Sequence, residues 1–147
     1  MRILFLLSLL LIGLTACQRQ APAPPDTGIL PTDFQVFYEL FHRDSSYQME
    51  HIRFPLEGLP DYADSLTIAS GQYAWEAEDW VMHKRQLADD PEFQRVVTMF
   101  GDFVVRERFV HKERPLMTER RFEKVQDEWY LIYYAGLNTY HHTGDHQ

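Results

Sequence analysis

The chain has a single cysteine, Cys17, in 147 residues. With no second thiol no disulfide can form within it, so its core alone must hold the fold, even in an oxidising compartment. Positive charge is also scarce: 14 Lys and Arg stand against 22 Asp and Glu, for a net charge of −8. That balance argues against nucleic acid or an anionic lipid surface as a partner. No apolar run reaches the roughly 20 residues of a membrane-spanning helix. There is no Gly-rich phosphate loop, no HExxH and no Cys/His framework, and Ser45, Ser46, Ser65 and Ser70 lack a nucleophile-elbow context. Seven histidines do not supply a metal centre. His141, His142 and His146 fall in a polar tail that binds metal weakly at best, and His111 with Glu113 lies near a turn. No metal and no cofactor are expected.

What is present begins with an export segment. Arg2 supplies a positive start, and Ile3 to Leu14 is apolar except for Ser8 and Gly13. About a dozen such residues suit a signal-peptide core. The run ends in Leu14-Thr15-Ala16-Cys17, which resembles the bacterial lipobox. Residues 1–16 then read as a signal peptide, and Cys17 as the lipidation site through which the chain meets a membrane. Several acyl chains anchor stably where one does not. This use of Cys17 also excludes cysteine catalysis. Gln18 stands where aspartate would retain some lipoproteins at the inner membrane, so the expected location is the outer membrane, facing the periplasm. Residues 17–31 carry four prolines and read as an extended tether. One domain is expected over 32–138, with a polar tail over 139–147.

Within the domain, Thr32-Asp33-Phe34-Gln35 has capping-box spacing. Phe34, Phe37, Tyr38 and Phe41 follow at i, i+3, i+4 and i+7, the stripe of an amphipathic helix. Asp44-Ser45-Ser46 ends that helix or caps a short turn. His51 to Leu56 alternates as a strand stopped by Pro55 and the Gly58-Leu59-Pro60 turn. Residues 61–72 read as a loop with a short strand, and Tyr73 to Val81 as a strand and turn. Arg95–Phe100, Phe103–Lys112, Met117–Val125 and Trp129–Leu137 form a strand meander, with the chain fraying from Asn138. Helices first and strands after predict an α+β domain: an N-terminal helix packed in a curved antiparallel β-sheet.

The stretches DFQVFYELFHRDSSYQMEHIRFPL, EAEDWVMHK and ERRFEKVQDEWYLIYY resemble the domain-of-unknown-function 4348 family of small bacterial lipoproteins, across residues 33–137. The resemblance implies a cystatin-like cone similar to the nuclear transport factor 2 superfamily. It carries no catalytic residues, and the wider superfamily hosts enzymes and scaffolds alike.

Glu107 is the sharpest anomaly, sharing a strand face with Phe103, Val105, Phe109 and His111. A carboxylate there is costly unless paired. It reads either as a general base in a cone pocket or as one partner of a salt bridge to Arg120 or Arg121, with a β-bulge as a third possibility. His51, and a His42–Asp44 dyad, are the other acid–base candidates. Trp75 and Trp80, with Tyr73, Glu76, Glu78 and Asp79, form a candidate ligand mouth. Tyr130 and Tyr134 sit with Tyr133 on a strand apolar on both faces, which suits a cavity wall or a contact with a second copy. The leading reading is a non-catalytic binding or interaction module for an envelope protein or a small-molecule ligand. The alternative is a small hydrolase or isomerase with Glu107 or a pocket histidine as base, and the third is a homodimer formed through the exposed sheet face.

Overall fold

A computed structural model describes residues 30–84 and 89–140. Cys17, the export segment, the tether up to residue 29 and the tail with His141, His142 and His146 lie outside the described residues. The elements in order are α1 (Thr32–Arg43), α2 (Ser45–Glu50), β1 (Ile52–Leu59), α3 (Ser65–Ser70), β2 (Ala74–Trp75), a 3-10 turn (Ala77–Asp79), β3 (Phe93–Phe100), β4 (Val104–His111), β5 (Leu116–Val125) and β6 (Glu128–Thr139).

The aromatic stripe makes α1. Phe34, Phe37, Tyr38 and Phe41 are all buried. Each meets the ring of Phe122 on β5 edge-on, at centroid distances of 5.5, 5.6, 6.2 and 5.7 Å. Pairs of this kind contribute about 0.5–1.5 kcal/mol each beyond simple burial, so Phe122 is an apolar contact common to the whole stripe. Asp33, in the first turn, accepts from Trp129 Nε1 at 3.0 Å and pairs with Lys124 at 2.9 Å. The capping box does not form. Pro31 is the N-cap with no side-chain bond, and Gln35 donates instead to the Leu30 carbonyl at 2.7 Å. Leu30 packs on the core, so the folded part starts before Thr32. Asp44 ends α1 and caps α2, accepting from Ser46 and Tyr47 N–H.

The six strands form one curved sheet in the order β2-β1-β6-β5-β4-β3, with α1 against its inner face. The fold is the α+β cone expected, with one correction. The sheet is mixed, because β1 runs parallel to β6 while every other pair is antiparallel. Alternation along a strand reports its faces and is silent on the direction of its neighbour.

Other boundaries also differ from expectation. β1 does not stop at Pro55 but runs to Leu59. The register against β6 jumps between Ile52 and Glu57, and Pro55, which has no N–H to give a ladder, sits inside that irregularity. Residues 65–70 are helical rather than extended. Asp64 caps them by accepting from Thr67 N–H, and no residue of α3 is buried, so no apolar period marked it. β4 starts at Val104, leaving Phe103 outside the strand and 55% exposed. The chain does not fray at Asn138. That buried side chain accepts from Ala63 N–H and donates to the Pro60 and Gly136 carbonyls, tying β6 to the turn after β1.

β6 carries the feature that shapes the interior. Arg121 pairs with Tyr133 but Phe122 pairs with Leu131, so Ile132 is an extra residue, a β-bulge. The bulge turns Tyr133 outward beneath Arg121, at 4.2 Å, and returns Tyr134 to the same side as Leu131. That is why a strand apolar on both faces can serve one core.

Gly58 lies where β1 meets β6, and a Cβ there would overlap the carbonyl of Tyr134, a backbone atom that cannot swing aside. Trp75 Nε1 donates to that same carbonyl at 3.0 Å. Gly58→Ala is therefore expected to lower unfolding stability by about 1–3 kcal/mol and to shift the Trp75 indole N–H resonance. Chemical denaturation of the full chain checks the first effect. Unchanged stability would mean the two strands are not this close.

Candidate functional site

Glu107 faces the inside of the cone and is fully buried. Three donors converge on it. Tyr38 Oη reaches Oε1 at 2.6 Å from α1, Arg95 Nε reaches Oε1 at 2.6 Å from β3, and Arg120 Nη1 reaches Oε2 at 3.3 Å from β5. Register explains the last of these, because Glu107 and Arg120 are direct cross-strand partners. The salt bridge expected to Arg120 or Arg121 thus goes to Arg120. Arg121 lies on the outer face and pairs with Glu119 at 2.6 Å. β4 alternates regularly, with no bulge at Glu107. Burial and the neighbouring Glu107 raise the Tyr38 phenol well above its usual value, so it stays a donor.

His42 extends this network. Its Nδ1 is 2.8 Å from the Tyr38 carbonyl and its Nε2 is 2.9 Å from Arg120 Nη1. A carbonyl can only accept and a guanidinium can only donate. The ring is therefore neutral, with the proton on Nδ1 and the Nε2 lone pair turned to Arg120. His42 makes no dyad with Asp44, whose carboxylate is occupied in capping α2.

A second buried hub is Gln48 on α2, fully enclosed. Its Nε2 donates to the carbonyls of Phe41 (2.6 Å) and His83 (2.9 Å), and its Oε1 accepts from Trp80 Nε1 (3.1 Å) and His83 N–H (2.9 Å). All four hydrogen-bonding positions of the amide are used, and three of them hold the segment from Trp80 to His83. Nothing in the sequence marked Gln48 or His83. A lone glutamine in a six-residue helix has no periodic signature.

This segment closes a cleft of about 350 Å³, walled by Trp75, Trp80 and Tyr134 and edged by His83, Arg120, Lys84 and Asp61. Trp75 and Trp80 meet edge-on at 6.1 Å, and Tyr134 lies 5.4 Å from one and 5.6 Å from the other. The His83 ring is 4.3 Å from both Trp80 and Tyr134. Burial, followed by the nearby Arg120, pushes the His83 imidazole down to about 2.

Of the residues marked in the sequence, Trp75, Trp80 and Tyr134 come together at this cleft, and Glu107 lies beneath it through Arg120. His51 and Tyr130 do not join them. His51 caps the end of α2, with Nδ1 2.8 Å from the Tyr47 carbonyl, and stacks between Tyr47 and Tyr130. Tyr130 lies under Arg53 at 3.9 Å and donates to Glu128. Glu76, Glu78 and Asp79 are exposed.

Two outcomes follow. Glu107→Gln removes the counter-charge of two guanidinium groups and is expected to cost about 3 kcal/mol in denaturant unfolding; a loss under about 1 kcal/mol would show the network to be loose. Histidine in the unfolded chain titrates near 6.5, and folded His83 near 2. The folded state therefore binds fewer protons, and this stability is complete above pH 6.5 and declines as pH falls toward 2, by about 1.4 kcal/mol per unit. Asp33 and Asp64, both held below 3.8, lose theirs only further down. Going from pH 7 to pH 5 should thus cost about 2 kcal/mol, and His83→Phe should remove most of that loss. An equal loss in both proteins would rule His83 out as its source.

No protein-family model matches the chain, and no curated protein does. Among solved structures it is similar to a nuclear transport factor 2-like protein from Bacteroides fragilis, at 15% identity and a TM-score of 0.47, covering 75% of this chain. The chain spans about half (48%) of that protein's length. It is also similar to a cystatin-like-fold protein of unknown function from Nostoc punctiforme, at 9% identity and a TM-score of 0.36, covering 77% of this chain and 96% of the other. A protein of unknown function in the domain-of-unknown-function 3225 family, from Pectobacterium atrosepticum, matches at 15% identity and a TM-score of 0.36, covering 78% and 100%. None of them transfers an activity to this chain.

Proposed function

We propose that this chain is a lipid-anchored envelope protein of the domain-of-unknown-function 4348 type, acting as a non-catalytic module that binds a small molecule in the cleft of Trp75, Trp80 and Tyr134. Cys17 carries the lipid, and the domain faces the periplasm from the outer membrane. One observation carries the binding reading over catalysis: the buried carboxylate on the inner face is already occupied. Glu107 accepts from Tyr38, Arg95 and Arg120, so three of the roughly four lone-pair positions of a fully buried carboxylate are spent inside the fold. His42 spends its basic nitrogen on Arg120 in the same way. The cleft beside them has the aromatic walls and few polar groups of a small-molecule site, at about 350 Å³. Its walls are held before any ligand arrives, by Gln48 and by the Trp75 bond to the Tyr134 carbonyl. Such preorganisation lowers the ordering cost of binding.

The test is a set of aromatic fragments titrated against the detergent-solubilised full chain, observed at the tryptophan indole N–H resonances. Bound fragments should move the Trp75 and Trp80 signals, and Trp75→Ala should weaken binding about tenfold, or about 1.4 kcal/mol. Fragments that bind without moving these signals, or none binding at millimolar concentration, would remove the cleft from consideration. Anchoring is tested separately. Cys17→Ser should release the protein from the membrane fraction, and its retention there would refute lipidation as the anchor.

A further inference from the structure

Two buried polar atoms at this cleft have no hydrogen-bond partner among the described residues: Arg120 Nε and His83 Nδ1. Both belong to residues that line it. Arg120 is only 4% exposed, and its hydrogen bonds to described residues run through Nη1, toward Glu107 and His42. His83 is fixed through its main chain, where Gln48 takes both its N–H and its carbonyl, so its ring is placed without spending a ring nitrogen. An unpaired buried donor costs about 1–3 kcal/mol, and more on a charged group. Arg106 Nε, Arg108 Nε and Thr118 Oγ1 are also unpartnered among the described residues, but only Arg120 and His83 lie together on a cleft, where a ligand could supply the partner.

The charges give that partner a sign. Inside the cone two guanidinium groups, Arg95 and Arg120, face one carboxylate, Glu107. The Arg95 side chain is 35% exposed and that of Arg120 4%, so these three groups carry one positive charge in excess, part of it at the surface, in a chain whose net charge is −8. Burial, and after it Arg120, keeps His83 neutral, and an imidazole between an arginine and a ligand can offer an N–H without adding a second cation. Lys84 at the rim has the same sign as Arg120. Asp61, on the rim, turns Oδ1 to the Leu137 N–H. The walls of Trp75, Trp80 and Tyr134 suit a flat apolar body.

We infer that the Arg120–His83 end of the cleft is an anion subsite, which takes the carboxylate of a small aromatic acid whose ring lies against Trp75, Trp80 and Tyr134. This rests on the cleft being a binding site at all, and the experiment keeps the two apart. Three ligands with one ring system, indole-3-acetate, indole-3-acetamide and tryptamine, are titrated against the full chain at neutral pH and read at the Trp75 and Trp80 indole N–H signals. The acetate should bind about tenfold or more tightly than the amide, with tryptamine weakest, because a charge-assisted hydrogen bond exceeds a neutral one by about that margin. Arg120→Lys keeps the charge but removes Nε, and should shrink the acetate advantage. Since Arg120 also braces Glu107, His83→Phe serves as the second variant, keeping a ring in the wall and narrowing the gap to below about threefold. Equal affinity for acetate and amide, a preference for tryptamine, or a gap that His83→Phe leaves intact would each overturn the subsite while the aromatic cleft stands. No binding by any of the three, with the indole signals unmoved, would overturn both.

Discussion

The position of the first helix depends on one buried carboxylate. Apolar packing alone would let α1 slide or rotate on the sheet, since a phenyl ring gives similar burial in several orientations. Glu107 removes that freedom. Left unpaired at full burial it would cost several kcal/mol, and its donors come from three separate elements: Tyr38 on α1, Arg95 on β3 and Arg120 on β5. They converge only when helix and strands are in register with one another. A buried ion pair adds little net stability over an apolar core of equal volume. Its contribution here is selection of one arrangement, and that arrangement brings Arg120 to the edge of the cleft.

The rest of the cleft follows from a fault in β6. Had the strand alternated without interruption, Tyr133 would have shared a face with Leu131 and Tyr134 would have pointed away. The extra residue at Ile132 exchanges them, so Tyr134 enters the interior opposite Arg120 and its carbonyl meets the Trp75 indole. β2 is only two residues long, yet it holds Trp75 in place because that bond ties it across β1 to β6. Trp80 and His83 reach the same cleft by another route, through the amide of Gln48. Ladder bonds alone would not order so short an edge strand and so irregular a segment; the polar bonds of single side chains do.

What could be read in the sequence was whatever repeats. The i, i+3, i+4, i+7 aromatics gave α1, β-prone residues before Gly101-Asp102 gave most of β3, and period-2 alternation gave β4 and β5 nearly to their ends. Glu107 stood out because it broke an apolar face, and Arg120 or Arg121 on the neighbouring strand was named as a partner, a choice that only the register settles. The parallel β1–β6 pair left no trace, because strand direction does not alter alternation. α3 was missed because it buries nothing, and its one signal, Asp64 three residues before Thr67, was a cap without a stripe behind it. Asn138 looked like the start of a polar tail, since composition cannot separate a solvated asparagine from one that closes a turn. Gln48 and His83 were invisible for the same reason: each acts through a single bond geometry that no spacing encodes. Trp75, Trp80 and Tyr134 were noticed as aromatics, but their meeting at one cleft required the bulge.

The histidines show how strongly context overrides residue type. Three of the four described histidines, His42, His51 and His83, lie around the first two helices and the cleft, and each is held by its surroundings. His42 has its proton placed by a carbonyl and its lone pair taken by an arginine. His51 holds its ring against Tyr47 at the end of α2. His83 is kept neutral by burial and by Arg120, and its ring is wedged between Trp80 and Tyr134. A general base needs a lone pair facing the substrate and a pKa near the working pH. His42 fails the first condition and His83 the second, while Glu107 is held by three donors. The interior has spent its titratable groups on one another. What remains over, among the described residues, is unpaired nitrogen on Arg120 and His83 beside aromatic walls.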